Sequence, residues 1–288
     1  METINKIVDK LNQITTQEHF SHTHIPNFEC VRMIKSIPAA PYNYSPSFYF
    51  VFQGKKKIIV EEETYFYKAN QFLAISINIP ASGCVVHGNE NEPFLCIRLV
   101  NNAAIAREVL DQLPYNLSEK TSHQLGLFVG QTTDSMQSVL LRLLELYDHP
   151  EDIEVLAPLY MRELYYYLLT SDNKDKIIQF INQGTGMERI KKITKTITDD
   201  FNKPLSVEHL AKMAGMSVSN FHASFKAATT MSPLQYQKKI RLLKAKQILL
   251  STHCTAQEAA FQVGYASVSQ FSREYSRFFG SSPIKDVN

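Results

Sequence analysis

Two stretches of the last hundred residues follow one plan, and that plan constrains the chain more than any other feature. LSVEHLAKMAGMSVSNFHASFKAATTMSP (205–233) and CTAQEAAFQVGYASVSQFSREYSRFFGSSP (254–283) each place an Ala four residues before a Gly: Ala211 and Gly215, then Ala260 and Gly264. Two aromatics four apart follow, Phe221 and Phe225 or Phe271 and Tyr275, and a proline closes each copy, Pro233 or Pro283. The glycines are 49 residues apart, and the second turn is one residue longer. Such a pattern predicts helix, tight turn and helix, twice. A small Ala lets the two helices approach, and a Gly suits the left-handed backbone that ends the first of them. Ser217 and Ser267 stand where the second helix needs an N-cap acceptor. This is the helix-turn-helix plan, whose second helix enters the DNA major groove.

The second helix of each copy has two faces. Val218, Phe221 and Phe225 in one, and Val268, Phe271, Tyr275 and Phe278 in the other, fall on an apolar stripe. Arg273 and Arg277 lie opposite, with Ser269, Ser272 and Ser276, and Gly280 and Pro283 end the helix. Between the copies, PLQYQKKIRLLKAKQILL (233–250) predicts one long helix buried along Tyr236, Ile240, Leu243 and Ile248. It would set the two recognition helices about one DNA turn apart, roughly 34 Å. Charge follows the same division. Residues 187–288 carry 15 Lys and Arg against 7 Asp and Glu, a net +8, whereas residues 1–186 carry 15 against 21, a net −6. A basic C-terminal part joined to an acidic front part is the pattern of a nucleic-acid binder with a separate second function.

The front part starts amphipathic, with Ile4, Ile7, Val8, Leu11 and Ile14, and from Pro41 to Val100 turns to short apolar runs. SFYFVF (47–52), the hairpin KIIVEEETYFYK (57–68), FLAISINIP (72–80), GCVVHG and PFLCIRLV are bounded by Gly, Pro and Asn. Five or six short strands at this spacing predict a small β-barrel or sandwich. The aromatics of 47–52 and 64–72 would fill its core or line a ligand pocket. MQSVLLRLLELYD (136–148) predicts a helix with Val139, Leu140, Leu143, Leu144 and Tyr147 on one stripe. APLYMRELYYYLLT (157–170) predicts a second, with Leu159, Leu164, Tyr167 and Leu168. The pair would pack on the barrel or form a dimer seam. SDNKDK (171–176) and NQGTG (182–186) read as connecting material. The fold class is α+β: a small β-barrel with helices, then an all-α domain of two helix-turn-helix motifs joined by a long helix.

The four cysteines, Cys30, Cys84, Cys96 and Cys254, are scattered without CxxC spacing, which argues against a disulfide framework or a zinc finger. The first residues lack the apolar run of a signal peptide, and no stretch reaches the ~18 apolar residues of a membrane span. A soluble cytoplasmic protein with no membrane partner is expected. No catalytic residue set assembles from the sequence, and no cofactor is expected.

The run FQVGYASVSQFSREYSRFFGSSP (261–283), the twin motif and the linking helix resemble the DNA-binding domain of the AraC/XylS family of bacterial transcription regulators. PSFYFVFQGKKKIIVEEETYFYKANQFLAISINIPASG (46–83) resembles the cupin-type regulatory domain of one subgroup, with Asn70 where a turn glycine is common and Asn78 where Asp is common. The resemblance implies a regulatory, effector and dimerisation domain over 1–175, a linker over 176–186 and the DNA-binding domain over 187–288. It implies an activator on double-stranded promoter DNA, with RNA polymerase, a small-molecule effector and a second copy of the chain as partners. Aligned to the family motif, the groove-facing positions are Ser219, His222, Ala223 and Lys226 on the first recognition helix. On the second they are Val268, Ser269, Ser272 and Arg273. Relatives often carry Arg where this chain has Ala223, so weaker or different base reading by the first helix is expected. Lys285 stands where an Arg is usual. Arg273 is the best base reader, since Arg grips guanine with two hydrogen bonds worth about 1–3 kcal/mol. Lys226 and Arg277 suit phosphates, which set position and salt dependence; solvated surface charge is the alternative for each.

Two other readings stay open: an architectural DNA-binding protein, and a metal-dependent cupin enzyme. The second would use His22, His24 and His87, but no carboxylate-containing cluster accompanies them, and no metal is expected. Cys84 and Cys96 would sense oxidants only if held as thiolates; buried inert thiols are the simpler reading.

Overall fold

The computed structural model describes residues 2–34, 40–114, 126–181, 186–252 and 254–285. Helix α1 (Glu2–Ile14) precedes nine strands: β1 (His19–His22), β2 (Phe28–Met33), β3 (Ala40–Tyr44), β4 (Ser47–Gln53), β5 (Lys55–Val60), β6 (Glu63–Lys68), β7 (Gln71–Ile75), β8 (Ile79–His87) and β9 (Phe94–Val100). Then come α2 (Ala103–Asp111), β10 (Leu127–Gln131), α3 (Asp134–Glu145), a 3-10 turn (Pro150–Asp152), α4 (Ile153–Leu169) and α5 (Lys174–Ile181). The rest is helical: α6 (Gly186–Asp199), α7 (Val207–Met213), α8 (Val218–Thr229), α9 (Pro233–Thr252), α10 (Ala256–Gln262) and α11 (Val268–Phe279).

The strands form two antiparallel sheets, ordered β1-β2-β9-β4-β7-β10 and β3-β8-β5-β6. Helices cover the outside of the larger sheet, and the smaller sheet faces its inside, as in a flattened barrel. This explains SFYFVF. Its outward residues Phe48, Phe50 and Phe52 pack with Phe72, Leu140 and Tyr165 under the helices, while Tyr49 and Val51 pack with Ile58, Val60 and Tyr67 between the sheets. A strand buried on both faces reads as a continuous apolar run rather than an alternation. Asn70 sits at φ 67°, a left-handed position that Asn tolerates, in the turn where glycine is the common choice.

The strand count exceeds the five or six expected. The missed strands β1, β2, β3 and β10 lack the clustered β-branched and aromatic signal of their neighbours. In α4, Leu164 and Leu168 are buried as expected, but Leu159 is 55% exposed and shares the outer face with Val155, 68% exposed. Tyr147, expected on the α3 stripe, lies beyond that helix and is exposed. Helix α5 runs through 176–181 of the linker expected over 176–186, because Ile177, Phe180 and Ile181 dock into the barrel-side core. Residues 182–185 lie outside the described residues. In α9 the buried side is Tyr236, Ile240, Leu242, Ala245 and Leu249, with Leu243 and Ile248 only half-buried. The physical reason is that α9 serves two cores in succession. Its first half packs with α6, α7 and α8, and its second half with α10 and α11. Among the described residues no helix is long and apolar enough to cross a membrane.

Candidate nucleic-acid interface

Both helix-turn-helix units form by the local chemistry the repeat encodes. Ala211 and Ala260 are buried where the helices cross. Gly215 and Gly264 take φ 62° and 87°. The Ser217 hydroxyl accepts from the Asn220 amide to open α8, and the Ser267 hydroxyl accepts from the Gln270 amide to open α11. Thr255 and Glu258 form a reciprocal capping box on α10. Phe221 and Phe225 are fully buried in the first unit, as are Phe271 and Tyr275 in the second. Arg241 of α9 clamps the second unit, donating to the carbonyls of Phe201 at 2.7 Å, Lys203 at 3.1 Å and Gly264 at 3.0 Å.

With the aromatics fixed, the other sides face solvent, and Val218, expected on the apolar stripe of α8, is exposed with them because it starts the helix beyond the reach of the core. Ser219, His222, Ala223 and Lys226 are exposed on α8. On α11, Ser269, Arg273 and Arg277 are exposed, and Val268 and Ser272 are half-buried. The Arg273 guanidinium lies back on its own helix, its Nε donating to the Ser269 carbonyl at 3.3 Å. The acidic residue of this helix, Glu274, is turned to bracing. It accepts from the Tyr265 hydroxyl at 2.8 Å and from the Gln270 amide at 3.3 Å, and pairs with Lys238 at 3.0 Å. Burial works against its charge, but these hydrogen bonds prevail and hold its carboxyl below the usual range. Sequence reasoning passed over Asn220 and Gln270, both exposed three residues after the N-cap serines. The repeat aligns them with each other, and an amide side chain suits adenine.

The two units are fastened differently. The second has its own core of Leu242, Ala245, Leu249, Ala259, Ala260, Val263, Phe271 and Tyr275. The first has none of its own: Ile190, Ile193, Phe221, Phe225, Ala228 and Ile240 continue the core between the sheets, reached through Ile77, Ile79 and Leu127. Polar contacts reinforce this junction. The buried Tyr236 hydroxyl donates to the Asn78 carbonyl at 2.7 Å. The Gly126 amide donates to the Ala228 carbonyl at 2.9 Å, and the Gly126 carbonyl accepts from the Ser76 amide at 2.8 Å. Lys239 pairs with Glu61, on the β5–β6 hairpin tip, at 2.5 Å. Beside the junction, Pro41, Tyr42 and Asn43 of β3 face Ile240, Leu243 and Lys244 of α9 across a cleft of about 560 Å³.

The three histidines considered as metal ligands do not form a set. His22 faces Glu29 at 3.4 Å, His87 faces Glu92 at 4.0 Å, and His24 stacks on Tyr147. Among the described residues, the three potential ligands that do approach one another, His149, Glu151 and Asp152, are all exposed. Cys96 is buried, and burial pushes its thiol up to about 12, so it is no thiolate sensor; Cys84 is half-buried.

A tandem helix-turn-helix domain joined to a flattened antiparallel barrel defines a two-part protein with a DNA-binding module. The model of the AraC-type transcriptional regulator N-terminus matches residues 24–176, and that of a helix-turn-helix domain matches residues 210–286. The chain belongs to the AraC-type transcriptional regulators. It is 26% identical over 153 residues to the lactose operon transcription activator of Staphylococcus xylosus, covering 53% of this chain and 55% of that one. It is 27% identical over 156 residues to the transcriptional activator RhaS of Escherichia fergusonii, covering 54% of each. The chain thus spans about half the length of the curated relatives it matches. Its fold is shared with apo ToxT of Vibrio cholerae, at a TM-score of 0.58 and 13% identity, over 94% of this chain and 98% of that one. The unsaturated fatty acid bound form of ToxT superposes with the same TM-score and identity over 91% and 93%.

Proposed function

We propose that the chain is a sequence-specific DNA-binding transcriptional activator that reads the major groove with α8 and α11 under the control of its N-terminal barrel. The supporting observation is the junction: two exposed recognition helices belong to one domain, and the first shares its core with the barrel. Any change in the barrel that disturbs Ile77, Asn78 or Gly126 therefore acts on α8 and α9 directly.

Residues 1–175 serve as the regulatory domain and 187–288 as the DNA-binding domain, with α5 tying the intervening stretch to the barrel side. Ser219, His222, Ala223, Lys226, Val268, Ser269, Ser272 and Arg273 face the groove, joined by Asn220 and Gln270, and Arg277 meets phosphate. The effector is a small molecule, as in ToxT, which binds an unsaturated fatty acid. The outer face of α4, with Val155, Leu159 and Tyr166 exposed, seats a second copy of the chain. RNA polymerase is the partner at the promoter, and the protein acts in the cytoplasm without catalysis of its own. The test is a genome-wide binding map of the tagged protein in its native bacterium, paired with transcript levels in a deletion strain. Sharp sites upstream of genes whose transcripts fall on deletion are expected. Broad binding without transcript change would replace this reading with an architectural one.

A further inference from the structure

Strand β5 places a lysine where the fold calls for an apolar residue. Its alternation turns Lys56, Ile58 and Val60 between the two sheets, and Lys56 is only 7% exposed. In the ladder, Lys56 stands opposite Tyr67 of β6 and Val85 of β8. The Lys56 amine lies 5.7 Å from the centre of the Phe94 ring, and among the described residues its hydrogen-bond partner is the Met33 sulfur at 3.7 Å. No carboxylate of the described residues forms an ion pair with it. Among the described residues, the hydroxyl of Tyr67 is buried without a partner, and its ring meets Phe94 edge-on at 6.4 Å.

These two observations point the same way. A lysine is almost never fully buried without a counter-charge, and a weakly accepting thioether is a poor substitute. A buried phenol normally finds a partner as well. Burial lowers the proton affinity of Lys56 and strengthens that of Tyr67, so the phenol stays a donor. Cross-strand neighbours stand about 5 Å apart at Cβ, a spacing at which two donors reach the two oxygens of one carboxylate. Phe94, Val85, Ile58 and Tyr49 belong to the same core, and the Tyr44 hydroxyl and the Cys84 and Cys96 thiols lie near the Lys56 amine.

We propose that Lys56 and Tyr67 form the acid-recognising end of a small-molecule site inside the barrel, and that its ligand is a small apolar carboxylic acid. One carboxylate oxygen accepts from the Lys56 ammonium and the other from the Tyr67 hydroxyl, while the apolar body lies against Phe94. The assignment rests on the reading of the barrel as the effector domain and names the effector's chemical class.

The test titrates benzoate and hexanoate, with benzamide and hexanamide as uncharged counterparts, into the whole chain by calorimetry, and follows thermal unfolding. Both acids should bind and raise the unfolding midpoint, and the amides should do neither. Lys56→Met should fold with a higher midpoint than wild type in the absence of ligand, because the unpaired charge is gone, and should lose at least about tenfold in acid affinity. Tyr67→Phe should weaken the acids severalfold. Equal acid affinity in Lys56→Met and wild type, or no binding of either acid to wild type, would overturn the site. Acid binding that leaves promoter affinity unchanged would support the site and refute effector control through the barrel.

Discussion

Tyr236→Phe isolates the junction between barrel and first helix-turn-helix unit. The substitution keeps the ring and its edge-on packing against Phe225, with centres 5.5 Å apart, so no cavity opens. Only the hydroxyl is lost, and the Asn78 carbonyl loses the donor it had at 2.7 Å. Orphaning a buried acceptor costs about 1–3 kcal/mol. The penalty falls on the docked state alone, because undocking gives the carbonyl to water. Taking about 1.4 kcal/mol, the junction opens about tenfold more often. The reporter is the Gly126 amide, which bonds across the junction to the Ala228 carbonyl. Hydrogen exchange read by mass spectrometry should show the peptide containing Gly126 exchanging about tenfold faster, with α10 and α11 unchanged because their core is separate. An unchanged rate at Gly126, or equal acceleration in α10 and α11, would refute a first unit held by the barrel.

Arg273→Ala should cost about 1–3 kcal/mol on the specific promoter site and far less on random DNA; equal losses by fluorescence anisotropy would assign Arg273 to the backbone. Gly264→Ala should lower the unfolding midpoint more than Gly215→Ala. Both put a side chain at positive φ, costing about 1–3 kcal/mol. At Gly264 the new Cβ also collides with the Asn202 carbonyl, whereas at Gly215 it meets only the far end of Arg189 at 3.9 Å. Equal midpoints would remove that distinction. Leu159→Asp on the outer face of α4 should leave the fold intact and convert a dimer to a monomer in sedimentation velocity, and an unchanged sedimentation coefficient would refute the seam.

What was legible in the sequence was local. Ser217, Gly215 and the aromatic pair specify a helix-turn-helix within about twenty residues, and their repetition around Gly264 made the reading secure. The solvent-facing positions followed, because burying Phe271 and Tyr275 forces Arg273 and Arg277 outward. The junction was not legible. Tyr236 and Asn78 lie 158 residues apart, and their hydrogen bond leaves no local signature. The same contact confused the reading of α9: a helix wedged between two cores has no single apolar stripe, so Leu243 and Ile248 competed with Leu242 and Leu249. Leu159 misled for a related reason, since an apolar residue near a stripe looks buried whether or not a neighbour covers it. Lys56 was hidden in a run of three lysines, although the alternation of Lys56 with Ile58 and Val60 already aimed it inward.

Helix α9 has a consequence for the genome rather than for the protein. Its twenty residues span about 30 Å as one rigid rod, with each end locked into a different core. A change in the separation of the two units would have to break the packing at one end of this rod. Each added base pair rotates one half-site past the other by about 34°. A promoter that gained about five base pairs between its half-sites would turn the second to the opposite side of the duplex. On the proposed reading, such a promoter would escape regulation without losing a single base of either half-site.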